Sequence, residues 1–285
     1  MLADYSSDPT LYDHCLRLID SCFPGIKPLA DRGRSHNAYW DKSSIPFIIK
    51  QEGVIAAHLG LLPFEVLVEG SSYHAAAVHG ICTQEAHRRK GYFRQLMIEA
   101  LDYIEHHYDL SFLFTDQPEL YEQFGFKITD EYDFIYEISA PSKQANLLRN
   151  IDLDDPNDLA LMQDLYLNRL PLSKRFSIVR EAVVSTLNAL HEPVYYIKNL
   201  NTLVVYQIME NTLLLKDIVF TQQPDLKIIL QAIPENFSKI ILQFCPDIFI
   251  GSFKPIKATP ECCIMIAKDF DIGSALFRYP EPQRC

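Results

Sequence analysis

Apolar positions in the first half of the chain change period in a readable order. Leu11, Cys15, Leu18, Ile19 and Cys22 recur at helical spacing behind the start signal Ser6-Ser7-Asp8-Pro9, which predicts a first helix over 9–22. Residues 23–44 lose that pattern to Pro, Gly, Arg, Asn and Ser, and read as a long loop or short helical turns carrying the pair Tyr39-Trp40. Three β-branched and apolar runs follow at 45–50, 54–69 and 72–83, separated by Glu52-Gly53 and Glu69-Gly70, the signature of an antiparallel meander. After QEAHRRKGYF, the residues Phe93, Leu96, Met97, Ala100, Leu101 and Ile104 fall on one helical face as far as His107. A buried strand at 109–115, a short helix at 118–124 stopped by Gly125, and strands at 126–128 and 132–138 close this half. The crossover through 92–107 should set the strand at 109–115 parallel to the one ending at Thr83.

Residues 140–149 (APSKQANLLR) form a connector. Asp152 to Leu190 reads as helical, and strands follow at 194–198, 203–209 and 213–220. PFIIKQEGVIAAHLGL (46–61) and VYYIKNLNTLVVYQIM (194–209) share the order strand, polar turn, strand, a weak internal repeat. A helix at 225–232 and strands at 239–244 and 262–267 continue the order of the first half. The fold class that follows is α+β, a mixed sheet flanked by helices, in tandem with a second, similar half. The boundaries are 1–142 and 150–285.

Composition adds where chemistry can sit. The chain has 285 residues and ten Gly, roughly half the average usage. Eight of the ten lie at or before Gly125, so contacts that need bare backbone belong to the first half. The net charge of −11 is just as uneven: residues 1–145 hold 12 Lys and Arg against 21 Asp and Glu. An acidic surface repels nucleic acid and anionic lipid and favours a cationic substrate. Seven scattered Cys without a CxxC argue against structural zinc and a disulfide framework, and suit a reducing compartment. With no signal peptide pattern in MLADYSSDPTLYDH and no apolar run near the ~20 residues of a membrane span, the expected location is the cytoplasm.

One basic cluster stands out in the acidic half: Arg88, Arg89, Lys90 and Arg94. It follows an apolar strand and opens the best helix in the chain, where unpaired N–H groups and the helix dipole suit an anion. Gly91 would let backbone approach a pyrophosphate. A solvated basic loop is the alternative.

VHGICTQEAHRRKGYFRQLM (78–97) resembles motif A of the GNAT acetyltransferases, whose Arg/Gln-x-x-Gly-x-Gly/Ala loop follows a strand and opens a helix. Arg88-x-x-Gly91 matches, whereas Phe93 stands where the family usually has Gly or Ala. LYEQFGF (120–126) resembles motif B, and the two matches cover about residues 45–140. The resemblance implies acetyl-CoA as acyl donor and no metal. Its pyrophosphate would lie on the amides of Arg89, Lys90, Gly91, Tyr92 and Phe93, with Arg88 opening the loop. Its pantetheine arm would pair with the backbone of Ile81 and Thr83, where family sheets splay apart. Tyr121 matches the motif B tyrosine that protonates the leaving thiolate; a phenol of pKa ≈ 10 is protonated at pH 7.

The base is open. Many relatives carry a Glu on the strand before the loop, but Ala77 stands at that position here. His79, two residues on and on the same face, is one candidate and a satisfied sheet histidine is its alternative. Asp116 is a second, or else a helix cap. Water and the C-terminal carboxylate of Cys285 are the others. Asp116, Glu119, Glu122, Asp130, Glu131, Asp133 and Glu137 crowd one stretch, either a solvated face or a funnel for a cationic acceptor. The expected function is transfer of acetyl from acetyl-CoA to a primary amine of a small molecule or peptide, by direct attack. The alternative is a non-catalytic acyl-CoA sensor. The second half, lacking the loop, either walls the acceptor pocket or mediates homodimers. Tyr39, Trp40 and Phe64 are further candidates for shaping that pocket.

Overall fold

The change of period at residue 45 is where the chain passes from helix to sheet. The computed structural model describes residues 1–8, 10–136, 142–144, 147–267, 272 and 276–285. Three helices come first: α1 (Leu11–Cys22), α2 (Ile26–Ser35) and α3 (Trp40–Ser43). Most of 23–44 is therefore helical and not loop. Pro28 and Gly33 look like breakers in sequence, but Pro28 sits in the first turn of α2, where no N–H is needed, and Gly33 admits the side chain of Leu187 against the helix.

The meander is as expected: β1 (Ile45–Gln51), β2 (Val54–Val68) and β3 (Ser71–Thr83) pair antiparallel in turn. Helix α4 (Tyr92–His107) crosses over and buries Leu96, Met97, Ala100 and Ile104, and β4 (Leu110–Thr115) returns parallel to β3. Short α5 (Glu119–Glu122) and β5 (Phe126–Ile128) complete the stretch. Strand β2 is buried on both faces from Ile55 to Leu62, because α1 packs on one side of the meander and α4 on the other.

The rest of the chain adds β6 (Tyr132–Tyr136), β7 (Leu148–Asn150), α6 (Pro156–Asn168), β8 (Phe176–Val179) and α7 (Val183–Ala189). Asp155 caps α6 by accepting from the Asn157 N–H. A second meander, β9 (Val194–Ile197), β10 (Thr202–Met209) and β11 (Thr212–Phe220), is followed by α8 (Leu226–Ala232) and by β12 (Lys239–Leu242), parallel to β11. Strands β13 (Phe253–Lys257) and β14 (Cys263–Ala267) come last. The repeat read at 46–61 and 194–209 is thus β1–β2 and β9–β10, and it extends through the same parallel crossover.

Three assignments change. The segment 152–190 is not helical throughout: β8 interrupts it and pairs with Glu65–Val68 of β2. Strand β6, expected to close the first half, lies between β12 and β13; β14, expected in the second half, lies between β4 and β5. The two seven-stranded sheets therefore run β1-β2-β3-β4-β14-β5 with β8 on β2, and β13-β6-β12-β11-β10-β9-β7. The first sheet takes β8 and β14 from the second half of the sequence and the second sheet takes β6 from the first, so the boundary read between 142 and 150 separates chain segments, not sheets. Glu137, Ile138, Gly273 and part of the 140–149 connector lie outside the described residues.

One irregularity of β3 is fixed by buried polar groups. Two residues, Gly80 and Ile81, stand opposite Leu59 alone, a bulge in which Gly80 adopts a φ of +57°. His58 Nδ1 lies 2.8 Å from the Gly80 carbonyl, which can only accept, so the proton is on Nδ1 and Nε2 accepts from the Tyr5 hydroxyl at 3.0 Å. Burial lowers the His58 pKa to about 4; burial and then the neighbouring His58 lower that of His79 to about 3. In the second sheet, Arg169 at the end of α6 forms a bidentate pair with Asp217 of β11 at 2.9 and 2.7 Å, both side chains fully buried.

The unfolded chain takes up protons on both imidazoles near pH 6.5, the folded chain only near 4 and 3. Their stabilisation is therefore complete above pH 6.5 and is lost as pH falls. Denaturant unfolding between pH 6.5 and 5.0 should show each histidine adding up to about 1.4 kcal/mol of lost stability per pH unit. His58→Gln should cut that slope by roughly half; an unchanged slope would contradict the neutral assignment. Asp217→Ala, which leaves Arg169 buried and unpaired, should lower unfolding free energy in urea by about 3–5 kcal/mol. A loss under ~1 kcal/mol, the value of a surface pair, would show the bridge to be dispensable.

Candidate active site

Strands β3 and β4 hydrogen-bond only where Ala75–Ala77 face Leu110–Phe112. Beyond that point β3 continues to Thr83 on β2, while β4 continues to Thr115 on β14, from Ile266↔Phe112 to Cys263↔Thr115. The two strands part, and a cavity of about 480 Å³ opens at the gap. Its floor is Val78, His79, Gly80 and Ile81 of β3 and Leu113, Phe114 and Thr115 of β4. The splay expected beside Ile81 and Thr83 is present, and the bulge at Gly80 takes its backbone out of the β2 ladder.

His79 faces the cavity from the same side of β3 as Ala77, but it is buried. Its Nε2 is 2.8 Å from the Ser44 hydroxyl, and the Trp40 ring stands edge-on over it at 4.9 Å. Gly60 on β2 makes room: a Cβ there would lie 2.3 Å from Nε2. A proton on this imidazole would be a buried cation next to His58, which is why its pKa is so low.

The loop after β3 ends in Gly91, whose φ of +82° makes it the left-handed cap of α4; Arg89 is also left-handed at +63°. No side chain caps α4, so the N–H groups of Tyr92, Phe93 and Arg94 are open, while Gln95 bonds the Gly91 carbonyl. Among the described residues none of the four basic side chains is paired with a carboxylate. Arg88 reaches the Thr83 carbonyl, Lys90 the His87 ring and Arg94 the Gln123 amide. The cradle is charged, exposed and uncompensated, which fits an anion.

Tyr121 of α5 lines the same cavity. Burial pushes its pKa up, with a hydrogen bond to Thr115 opposing and the charge of Asp116 adding, so the phenol stays protonated. Phe93, the departure from the small residue expected in the loop, has a use here: its ring packs edge-on against Tyr121 at 5.8 Å and Phe124 at 5.5 Å. Asp116 lines the cavity with an exposed side chain and does not cap α5. Glu119 and Glu122 of α5 are exposed and outside the cavity lining, Glu137 lies outside the described residues, and the other three are in ion pairs. Glu131 accepts from Arg284 at 2.6 Å and the Tyr279 N–H at 3.0 Å, Asp133 meets Arg278 at 3.0 Å, and Asp130 meets Lys257 at 3.0 Å.

Sequence reasoning missed most of the remaining wall. Leu16 and Ile19 of α1, Leu29 of α2 and, from the second half, Leu187, Cys262 and Cys285 all line the cavity. Nothing in their spacing marks them, because they converge from five separate segments. Of the pocket residues named in advance, Trp40 is in the wall, Tyr39 is not, and Phe64 is in the core against Phe112. The Cys285 thiol is pushed up to about 12 by burial and then Glu181, and burial also raises Cys262, so neither is a thiolate at neutral pH.

A family model described as an acetyltransferase (GNAT) domain matches residues 6–129, from just before α1 through β5. No functionally curated protein matches the sequence. Among solved structures the chain is similar to a conserved Enterococcus faecalis V583 protein described as a probable N-acyltransferase, at 14% identity over 93% of this chain and 71% of that one, with a TM-score of 0.60. Eis1 from Mycobacterium abscessus matches at 14% identity over 82% of this chain and 63% of that one, TM-score 0.58. A GCN5-related N-acetyltransferase from Kribbella flavida matches at 14% over 93% and 70%, TM-score 0.57. The chain thus spans about two thirds of the length of these proteins, and at such identities the likeness is one of fold. Residues 6–129 therefore match a GNAT acetyltransferase domain, and 93% of the chain shares its fold with the Enterococcus faecalis protein.

Proposed function

We propose that this chain is an N-acyltransferase that moves an acetyl group from acetyl-CoA to a primary amine by direct attack. One observation carries the reading: a cavity at the gap between β3 and β4 is lined by a protonated tyrosine, and β3, which forms its floor, runs on past the bulge into an uncompensated basic loop at the start of α4. The amides of Arg89 to Phe93, with Arg88 and Lys90 beside them, would hold the pyrophosphate. The free edge of β3 from Val78 through Ile81 to Thr83 would pair with the pantetheine amides as a missing strand does.

The amine nitrogen attacks the thioester carbonyl, the N–C bond forms, and the carbonyl electrons move onto oxygen, where backbone N–H groups at the bulge of β3 would stabilise them. Collapse breaks the C–S bond, and Tyr121 delivers its proton to the departing thiolate. The proton lost by nitrogen goes to the Asp116 carboxyl group, which is open to water, and not to His79, where it would create a buried, unpaired charge. His79 serves as a neutral wall held by Ser44. No cysteine intermediate is needed, since both cavity thiols are protonated.

Tyr121→Phe should lower kcat by about 100-fold or more, with the calorimetric affinity for acetyl-CoA within about threefold of wild type; turnover within that same threefold would remove Tyr121 as the acid. At Gly91 an added Cβ meets open space, so only the positive φ penalises substitution, by roughly 1–2 kcal/mol for a non-glycine residue. Gly91→Val should therefore weaken acetyl-CoA binding about tenfold or more with little change in thermal unfolding. Unchanged affinity would show that the nucleotide lies elsewhere.

A further inference from the structure

We propose that the acceptor is a monoamine carried on an apolar arylalkyl or alkyl body, and not a polyamine, aminoglycoside or basic peptide. The inference rests on the acyltransferase reading above and concerns the half of the cavity away from the basic loop. That half is walled by Leu16 and Ile19 of α1, Phe23, Ile26 and Leu29 at and within α2, and Leu187 of α7, with the Trp40 ring closing it over His79. None of these side chains carries a charge. Asp116, beside Tyr121, is the only acidic side chain among the residues that line the cavity.

The charge arithmetic of the acidic stretch points the same way. Of the acidic residues that the sequence offered as a cation funnel, Asp130, Glu131 and Asp133 are taken up by Lys257, Arg284 and Arg278, and Glu119 and Glu122 are exposed outside the cavity lining. An acceptor with several ammonium groups would bury all but one of them against aliphatic carbon with no partner, which is strongly unfavourable. A single ammonium at Asp116 is matched one to one and gives up a proton to water before it attacks, and an apolar body behind it displaces water from the α1–α2 wall. A long acyl chain would fit the same wall, but it would leave Asp116 without a counter-charge.

The test uses the full chain with acetyl-CoA saturating and three amines: ethylamine, 2-phenylethylamine and spermidine. The expected result is a kcat/KM for 2-phenylethylamine about tenfold or more above both others. Leu29→Asp should remove that advantage without changing acetyl-CoA affinity, and Leu29→Ala, which adds no charge to a half-buried site, should reduce it. Asp116→Asn should raise KM for 2-phenylethylamine about tenfold while leaving KM for acetyl-CoA unchanged. Equal kcat/KM for the three amines, preference for spermidine, or preference for octanoyl-CoA that Leu29→Asp abolishes would overturn the monoamine assignment and leave the acyltransferase reading standing. Calorimetry with each ligand alone separates the opposite failure. If 2-phenylethylamine binds and Leu29→Asp abolishes it, while acetyl-CoA does not bind, the ligand class stands and acyl transfer falls. If 2-phenylethylamine neither binds nor is acetylated, the inference is wrong.

Discussion

The structure turns on the parting of β3 from β4. A parallel pair that stayed in register from Ala75 to Thr83 would bury every backbone group in the sheet and leave no room for a substrate. Pairing stops after Ala77 and Phe112 because β4 is held on its far side by β14 and β3 by β2, and because the bulge at Gly80 and Ile81 shifts the register of β3. Unsatisfied strand edges inside a protein are costly unless something fills them. The gap is therefore a place that invites an extended, amide-bearing ligand, and Tyr121 and Asp116 stand at its end.

What holds β4 in place comes from the distant part of the chain. Strand β14 delivers Cys262 and the segment behind it, and the carboxylate of Glu131 then binds Arg284, Arg278 and the Tyr279 N–H to fasten that segment under the first sheet. In exchange β6 leaves the first sheet and completes the second. The second half lacks the glycine-bearing loop, yet it is not separable from the site, since Leu187, Cys262 and Cys285 form part of the wall. Of the two roles open to it in the sequence, walling the pocket is the one its placement supports.

The chemistry around the gap is built from neutral donors and acceptors. His58 and His79 are kept uncharged by burial, Tyr121 and both thiols are kept protonated, and the two sites of net charge lie apart: the basic loop at the start of α4, and Asp116 at the other end. Such separation gives a two-ended ligand one orientation. It also explains Phe93. A small residue at that position would leave Tyr121 without its edge-on neighbour, and the aromatic fills the space between α4 and α5.

The meander, α4, the parallel return of β4 and the cradle at Arg88 to Gly91 were legible because each depends on residues close in sequence: a period of two or 3.6, a turn pair, a glycine before a helix. The same holds for Tyr121, found by its short motif on α5. Strand exchange was not legible. Phe176–Val179 looks like part of a helical stretch, and Tyr132–Tyr136 fits either sheet, since an apolar strand carries no mark of its partner. The same limit applied to charge, because Glu131 and Asp133 read as a funnel until Arg278 and Arg284, about 150 residues away, were brought onto them. Sequence by itself determined the local elements and the basic, glycine-ended loop before α4. Only the tertiary structure decided which strands meet, which charges stay free, and that the cavity wall built by α1, α2 and α7 is apolar, because those outcomes depend on long-range pairing and desolvation that no spacing along the chain encodes.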